Sequence, residues 1–359
     1  MKKIGVLICD DSALMRMTLK KLIESDRHLF VIGTARDGED AVEKARNLKP
    51  DVITMDINMP GLDGLSALQI IVHEKIAPVI MVSSLTQEGA VTTFEALELG
   101  AFDYVGKPGG TVSSDMSSVA EELIEKIKAA ARYDPKAKLE REIRAPKKRV
   151  SRKKNISASQ VSGVSTTDFK AIAIGISTGG PKTIFEVLPY LPGDLNAAVF
   201  LVQHMPPNFT GSFAERIDKS TPLKCVEAQA GMTVEPGHIY LGKGGHHLTL
   251  LKTSNGRIII RTPTRPKSLF MPSADVMMKA VAKVFGSNTI GVIMTGMGKD
   301  GAEGMEEIYR AGGVTVAESE ESAIVYGMPR EVVERGIAKI VAPSWEIADT
   351  LTKLANGHN

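Results

Sequence analysis

Residues 171–183 read AIAIGISTGGPKT, an apolar run that ends in a turn containing three glycines and one serine. The run is typical of a buried parallel strand, and Pro181 suits the first turn of a following helix. A strand, a tight turn and a helix form the repeating unit of an α/β fold. Such a turn can hold a phosphate, present Ser177 as a nucleophile or serve only as a turn. Which of these functions applies depends on the residues that other parts of the chain place next to this turn.

Further apolar runs follow this one and alternate with amphipathic stretches such as SADVMMKAVAKVF and GAEGMEEIYRAG. The alternation predicts a doubly wound parallel sheet over 170–356, with a hairpin around 238–261. The predicted strands are 170–176, 197–203, 238–242, 247–251, 257–261, 289–294 and 313–318.

Residues 1–125 show the same alternation, with runs such as KIGVLIC and PVIMVSS between helical patterns. They predict a second, smaller doubly wound sheet of the flavodoxin-like type. Its predicted strands are 3–9, 30–35, 52–56, 78–84 and 103–108. With 359 residues, two domains are also what the length favours.

Residues 126–169 differ from both flanking regions and predict a linker that is first basic and then rich in Ser and Thr. Within it, 134–154 holds ten Lys or Arg and three Asp or Glu, although the whole chain carries a net charge of only +2. The basic residues therefore belong to one solvated segment, and we expect no nucleic-acid binding by a folded face.

Other features of the composition indicate a soluble protein. No run of 18 apolar residues occurs, so we expect no membrane insertion. The only two cysteines, Cys9 and Cys225, are far apart in sequence, which favours reduced thiols and a cytoplasmic location.

Carboxylates follow two predicted strands of the first domain. Asp10 and Asp11 follow strand 3–9, and Asp56 ends strand 52–56. At the carboxyl ends of parallel strands they would meet and repel unless a cation lay between them, and an oxygen-rich site suits Mg²⁺. A carboxylate beside Mg²⁺ can attack phosphorus and form an acyl phosphate. Ser83 closes the run 78–83 and Lys107 directly follows the run 103–106, and both could bind phosphoryl oxygens.

This ordered set resembles the response-regulator receiver domain over essentially all of 1–125. The resemblance implies that Asp56 is phosphorylated, with the aspartate pair after the first strand as its acid partners. It implies a Mg²⁺ site formed by Asp11, Asp56 and the Asn58 carbonyl. It also implies that Ser83 and Tyr104 form the pair that moves on phosphorylation.

The phosphate-binding interpretation of the 171–183 turn is disfavoured by its residues. Gly175 and Gly180 have the separation of a P-loop, but Pro181 occupies the lysine position and Lys182 is displaced by one. Proline also removes a backbone N–H that a phosphate loop would need.

The nucleophile interpretation has possible partners. Residues 175–179 match G-x-S-x-G, in which the turn exposes the serine. A serine hydroxyl needs a base, and the base needs an orienting acid. His204 directly follows strand 197–203, and Asp300 lies in the loop after strand 289–294. All three side chains of a Ser177–His204–Asp300 triad would then lie at one sheet edge.

Three other histidines compete for attention in the stretch GHIYLGKGGHHL, but their spacing fits no common zinc pattern. The chain order Ser, His, Asp also differs from the order Ser, Asp, His of α/β-hydrolases, so the serine motif is no evidence for that fold.

The motifs GISTGGP, QHMPPNFTGSFAERID, HIYLG, TGMGKDGAEGM and YGMPRE, in this order behind a receiver, resemble the CheB family of protein-glutamate methylesterases. The resemblance implies hydrolysis of glutamate methyl esters and deamidation of glutamines on methyl-accepting chemoreceptors, without a cofactor for the esterase. It implies Ser177 as nucleophile, His204 as general base and acid, and Asp300 as orienter. Backbone N–H groups near Thr178 and Met297 would form the oxyanion hole. A chemotaxis histidine kinase would be the phosphodonor, and phosphorylation would relieve inhibition by the receiver.

One stretch departs from the family. Members commonly read close to H-R-P-S-V-D where this chain has LFMPSADVMM (269–278), so Phe270 and Met271 replace a basic pair. The alternative function is a receiver that controls a non-catalytic binding or DNA-binding output. No terminal helix-turn-helix pattern or basic recognition helix supports that alternative.

Overall fold

The structure, a computed structural model, describes residues 3–84, 86–107, 116–133 and 169–357. The chain divides into two compact units, 1–135 and 136–359. The basic, Ser/Thr-rich part of the predicted linker lies outside the described residues.

The first unit is a five-stranded sheet in the order β2-β1-β3-β4-β5, in which every neighbouring pair is parallel. Its strands are β1 (Ile4–Cys9), β2 (Leu29–Ala35), β3 (Val52–Asp56), β4 (Val79–Ser83) and β5 (Asp103–Gly106). Its helices are α1 (Ala13–Glu24), α2 (Gly38–Leu48), α3 (Gly64–His73), α4 (Gln87–Leu99) and α5 (Met116–Ala130).

Local sequence fixes where the helices of this unit begin. The side chains of Asp37 and Asp63 accept the backbone N–H groups of Asp40 and Ser66 and so cap α2 and α3. Helix α5 continues to Ala130, so the first five residues assigned to the linker are helical.

The second unit is a seven-stranded sheet in the order β14-β13-β12-β6-β7-β9-β8, again with parallel neighbours throughout. Its strands are β6 (Lys170–Ile176), β7 (Ala197–Gln203), β8 (Lys224–Glu227), β9 (His238–Leu241), β12 (Thr289–Ile293), β13 (Val314–Glu318) and β14 (Ile340–Ala342). A separate antiparallel hairpin pairs β10 (Thr249–Lys252) with β11 (Ile258–Arg261).

The helices of the second unit are α6 (Gly180–Thr183), α7 (Pro207–Ser220), α8 (Ala274–Phe285), α9 (Ala302–Arg310), α10 (Met328–Glu334) and α11 (Ser344–Ala355). Strands β6, β7 and β12 are buried along their whole length, apart from the first residue of β6. Burial on both faces is expected for a parallel sheet between helical layers.

The expected α/β fold with two parallel sheets is confirmed. The predicted hairpin around 238–261 is confirmed only for 249–261, because β9 joins the large sheet as a parallel strand. Strands β8 and β14 were not predicted, since both are short, partly exposed edge strands; β8 mixes charged and apolar residues, and β14 has only three residues.

The order of the large sheet determines where a site can form. Strand β6 lies between β7 and β12, so the carboxyl ends of three successive strands of the sheet are adjacent. From β6 the chain builds one half of the sheet and then returns to build the other half, which makes the β6–β12 boundary a topological switch point. In the described part of the chain, no helix is both long and apolar enough to cross a membrane.

Candidate active site and phosphoacceptor site

The serine lies in the turn between β6 and α6. Its backbone N–H donates to the Thr295 carbonyl (3.0 Å), which ties this turn to the end of β12. The side chain is buried, with 8% of the residue exposed. Gly179 has φ +77°, and a Cβ there would lie 2.7 Å from Cβ of Ile324. Glycine is therefore required for both the turn and its close packing.

The histidine follows β7 directly, beside the serine turn. The His204 N–H donates to the Ile176 carbonyl at 3.3 Å. The buried amide of Gln203 donates to the carbonyls of Ser177 (3.1 Å) and His204 (3.0 Å). One side chain at the end of β7 thus holds both turns, a role for Gln203 that sequence reasoning missed.

The three predicted catalytic side chains meet. Nδ1 of His204 lies 3.0 Å from Ser177 Oγ, and its Nε2 lies 2.7 Å from Asp300 Oδ2. If the ring were turned by 180° about its Cβ–Cγ bond, carbon atoms would face both Ser177 and Asp300. Only the observed ring orientation therefore makes both contacts. The carboxylate accepts only, so Nε2 carries the proton and the Nδ1 lone pair faces the serine hydroxyl. In the chymotrypsin triad Nε2 faces the serine and Nδ1 faces the aspartate, whereas here the two nitrogens have exchanged partners.

The carboxylate of Asp300 accepts several further hydrogen bonds at the start of α8. Ser273 Oγ donates to Oδ1 (2.7 Å), Ala274 N to Oδ2 (2.6 Å) and Asp275 N to Oδ1 (3.1 Å). Burial alone would raise the pKa of Asp300, but hydrogen bonds from His204, Ser273 and Ala274 outweigh it and hold that pKa well below its usual range. The acid is therefore ionised whenever the histidine is able to act as a base.

Thr178 directly follows the serine, and Met297 follows Gly296, at which an added Cβ would lie 2.9 Å from Ser177 Cβ. Within the described part of the chain, the N–H groups of Thr178 and Met297 have no hydrogen-bond acceptor. Thr295 Oγ1 donates to the Thr178 carbonyl (2.9 Å), which fixes that peptide. Unpaired donors beside a nucleophile are what an oxyanion hole requires, and both residues were predicted for it.

The segment before α8 contacts the site in a way that the sequence did not predict. The ring of Phe270 stacks on the imidazole of His204, with centroids 3.9 Å apart and planes 3° from parallel. Phe270 lies where the sequence was expected to depart from the family motif, whereas Ser273 matches the serine of that motif. That departure was the available signal, but it gave no partner for Phe270.

The competing histidines have structural roles. His247 is fully buried, its Nε2 lies 2.7 Å from the Pro266 carbonyl, and its Nδ1 accepts from Ser273 N (3.3 Å). His238 and His246 each approach a backbone carbonyl two residues away. These contacts use both ring nitrogens of His247 and one ring nitrogen each of His238 and His246.

Three carboxylates and one ammonium of the first unit lie close together. Asp10, Asp11 and Asp56 each offer a carboxylate oxygen within 4.8 Å of the others. Lys107 Nζ lies 2.8 Å from Asp56 Oδ2 and 3.3 Å from Asp10 Oδ2. Apart from this ammonium, these two buried oxygens receive no hydrogen bond from the described residues. Hard carboxylate donors with unused lone pairs fit Mg²⁺.

Charge and burial oppose each other in this pocket. Burial raises the pKa of the Asp56 carboxyl, and the Lys107 ammonium offsets only part of that effect. Burial acts to lower the pKa of Lys107, but its bonds to Asp56 and the charge of Asp10 outweigh it and raise that pKa. A phosphoryl group or a divalent cation here would act on a carboxylate that water does not stabilise.

The other predicted receiver residues are Asn58, two positions after Asp56, Ser83 at the end of β4, and Tyr104 in β5. Asn58 and Ser83 line one cavity. Ser83 Oγ accepts a hydrogen bond from the buried Thr93 hydroxyl (2.8 Å). The Tyr104 ring is buried, and Lys126 lies 5.0 Å from its centroid while donating to its carbonyl (2.6 Å).

An acid pocket on one parallel sheet and a hydrogen-bonded serine, histidine and aspartate on the other define a response regulator whose output domain has the geometry of a serine hydrolase. Comparison with family models agrees with both halves. Residues 6–113 match the response regulator receiver domain, and residues 172–351 match the CheB methylesterase. The chain belongs to the CheB methylesterase family.

Similar proteins cover the whole chain. It is 58% identical over 356 residues to protein-glutamate methylesterase/protein-glutamine glutaminase 3 of Syntrophomonas wolfei subsp. wolfei, covering 98% of this chain and 99% of that one. The Thermotoga maritima protein of the same name, without the number, is 44% identical, and the match covers 98% of each chain. The crystal structure of the Thermotoga maritima CheB methylesterase catalytic domain aligns with TM-score 0.51 and 40% identity, covering 52% of this chain and 98% of that one. These relatives do not support the alternative of a non-catalytic output.

Proposed function

We propose that the chain is a protein-glutamate methylesterase and protein-glutamine glutaminase that acts on methyl-accepting chemoreceptors. The observation that carries the proposal is the hydrogen-bonded series from Ser177 through His204 to Asp300. The names of the full-length relatives supply the substrate class, a glutamate methyl ester or a glutamine in a protein.

The geometry accounts for acyl transfer step by step. Nδ1 of His204 takes the hydroxyl proton as Ser177 Oγ attacks the ester carbonyl carbon. The N–H groups of Thr178 and Met297 stabilise the resulting oxyanion. When the C–O bond to the methoxy group breaks, Nδ1–H gives its proton to the departing oxygen and releases methanol.

Water then completes the cycle. His204 takes a proton from water as the water oxygen attacks the acyl-enzyme carbonyl, and the same proton returns to Ser177 Oγ as the acyl–oxygen bond breaks. The product is a free glutamate carboxylate. With a glutamine substrate the leaving group is ammonia, and the remaining steps are the same.

The decisive test is methanol release from methylated receptor membranes. The Ser177→Ala variant should release no methanol above the uncatalysed background, and Ser84→Ala, which removes a serine of the first unit outside the triad, should behave like the wild type. Unchanged turnover in Ser177→Ala would remove this serine from the mechanism.

The receiver supplies control in this proposal. Asp56 accepts a phosphoryl group from a chemotaxis histidine kinase, and Asp11, Asp56 and the Asn58 carbonyl would hold a Mg²⁺ ion, which would supply positive charge beside the phosphoryl oxygens. Ser83 and Tyr104 then respond to the phosphoryl oxygens, and the population shifts toward an open active site. The support is the acid pocket with its Lys107 ion pairs.

Relief of inhibition can be measured directly. Residues 169–359 alone should hydrolyse the ester faster than the unphosphorylated full chain, and a phosphodonor should accelerate only the full chain. A fragment no faster than the full chain would contradict inhibition by the receiver. We further propose that the reaction takes place in the cytoplasm, where two buried, unpaired cysteines, Cys9 and Cys225, would remain reduced.

A further inference from the structure

Phe270 is the residue that the proposed mechanism leaves unused although it contacts the general base. Its ring and the imidazole of His204 are nearly parallel at 3.9 Å. Hydrogen bonds at Nδ1 and Nε2 restrain the two nitrogens of the imidazole but not its rotation about the line that joins them. A flat neighbour on one face removes that rotation and also keeps water from that face.

The loop that carries Phe270 is held at several points. Buried His247 bonds the Pro266 carbonyl through Nε2 and the Ser273 N–H through Nδ1, and its own N–H donates to the Pro263 carbonyl (2.8 Å). Gly245 N donates to the carbonyl next to Phe270, that of Met271 (2.9 Å). These hydrogen bonds restrain the loop and therefore the position of the Phe270 ring.

The stacking geometry favours one charge state of the histidine. Two neutral aromatic rings prefer an offset or edge-on arrangement to close face-to-face stacking, because their quadrupoles repel. A cationic ring over the negative face of phenylalanine is attracted instead. In the proposed mechanism His204 becomes an imidazolium when it takes the serine proton, so this attraction is gained in the transition state.

We propose that Phe270 is a positioning residue of this active site, which holds the imidazole of His204 in plane between Ser177 and Asp300 and stabilises it when it becomes charged. The proposal rests on the proposed function for its reaction but concerns the chain's own residues.

The test measures labelling of the full chain by a small fluorophosphonate. This probe reacts with Ser177 through the same base, and the reaction does not require the receptor substrate. Phe270→Leu keeps an apolar side chain and removes the ring, and should lower the second-order rate constant of labelling by roughly 2- to 30-fold. Phe270→Tyr keeps the ring and should stay near the wild type. Leu269→Ala is the matched control, because Leu269 is 74% exposed on the same loop.

Two further readouts separate positioning from other roles. With methylated receptor, Phe270→Leu should lower kcat and leave KM unchanged; a raised KM with unchanged labelling would make Phe270 a substrate contact and overturn the proposal. In NMR spectra of the wild type, ring protons of His204 should lie upfield through the ring current of Phe270 and move downfield in Phe270→Leu. Absence of that upfield position would overturn the stacking even if the variant failed to fold.

These outcomes are distinguishable from failure of the proposed function. If the wild-type protein is labelled at Ser177 but releases no methanol, the proposed substrate is wrong, whereas the proposed role of Phe270 is unaffected. Labelling of Phe270→Leu at the wild-type rate would contradict the role of Phe270 and leave the esterase standing.

Discussion

Each carboxylate oxygen of Asp300 accepts two hydrogen bonds, and all four partners are donors. Oδ1 accepts from Ser273 Oγ and Asp275 N, and Oδ2 accepts from Ala274 N and His204 Nε2. An amide in this place would bring an NH₂ group against a donor on either side. The carboxylate thereby enforces the histidine tautomer that leaves Nδ1 free for the serine.

Asp300→Asn should therefore lower kcat by up to about 10⁴-fold while the fold is retained, by analogy with other triads. Methanol release measures the loss, and ¹⁵N NMR of the imidazole should show the proton leaving Nε2. Asp275→Asn is the matched control, because Asp275 accepts from Gly304 N through its side chain and does not touch the histidine. Similar losses in both variants would contradict a tautomer effect.

Asp275 itself should carry a pH-dependent cost in stability. Burial raises its pKa to about 6, helped by the charge of Asp300, although the Gly304 N–H opposes the change. Because the folded pKa lies above the unfolded value, the folded state loses stability as pH rises from about 4 to 6 and does not regain it above 6. Asp275→Asn should raise the free energy of unfolding by about 1–2 kcal/mol at pH 8 and by less at pH 5.

The fluorescence of Trp345 provides the measurement, because it is the only tryptophan and lies in α11 of the second unit. Chemical unfolding followed at pH 5 and pH 8 gives the two differences. An equal stabilisation at both pH values would mean that packing rather than ionisation is responsible.

Helix α8 links stability and catalysis at the scale of an element. Ser273 caps its first turn by accepting from Val276 N (3.4 Å) and donates to Asp300 at the same time. A 12-residue helix with a buried apolar face is thus held at its start by the same hydroxyl that orients the acid. Loss of this hydroxyl removes both contacts.

Ser273→Ala should destabilise the second unit by about 0.5–2 kcal/mol and lower turnover by roughly tenfold. Trp345 fluorescence reports the first change and methanol release the second. Ser273→Thr retains the hydroxyl and should recover most of both. If Ser273→Ala lost stability without losing turnover, the bond to Asp300 would have no catalytic role.

Sequence patterns identified most elements of this fold for a physical reason. A strand buried between two helical layers, such as β6 or β7, is a continuous apolar run and can be recognised as such. Edge strands β8 and β14 bury only part of their residues, and neither contains an apolar run longer than three residues. Strand β9 was recognised but assigned to the hairpin, because its parallel partner β7 lies more than 30 residues away and pairing is not written in a local pattern.

The same limit applies to the site. Ser177, His204 and Asp300 could be predicted because parallel strands end at one edge, which brings together residues that are 27 and 96 positions apart. Gln203, Ser273 and Phe270 could not, since their roles depend on the order β12-β6-β7 and on where the loop before α8 lies. Residue type and spacing carry no information on those contacts.

At the scale of the whole molecule, each sheet carries its own site, and the two should respond separately to a divalent cation. Mg²⁺ needs the ionised form of Asp56, whose burial raises its pKa, so protons compete with the metal and binding should weaken as pH falls. A free Mg²⁺ concentration 100 times the dissociation constant would stabilise the first unit by about 2.7 kcal/mol.

Calorimetry of the full chain should show that Mg²⁺ raises the unfolding temperature of the first unit, by more at pH 8 than at pH 5. The unfolding temperature of the second unit, followed by Trp345 fluorescence, should change less. Asp56→Asn should abolish the Mg²⁺ effect. A shift of equal size in that variant would place the cation elsewhere than among Asp10, Asp11 and Asp56.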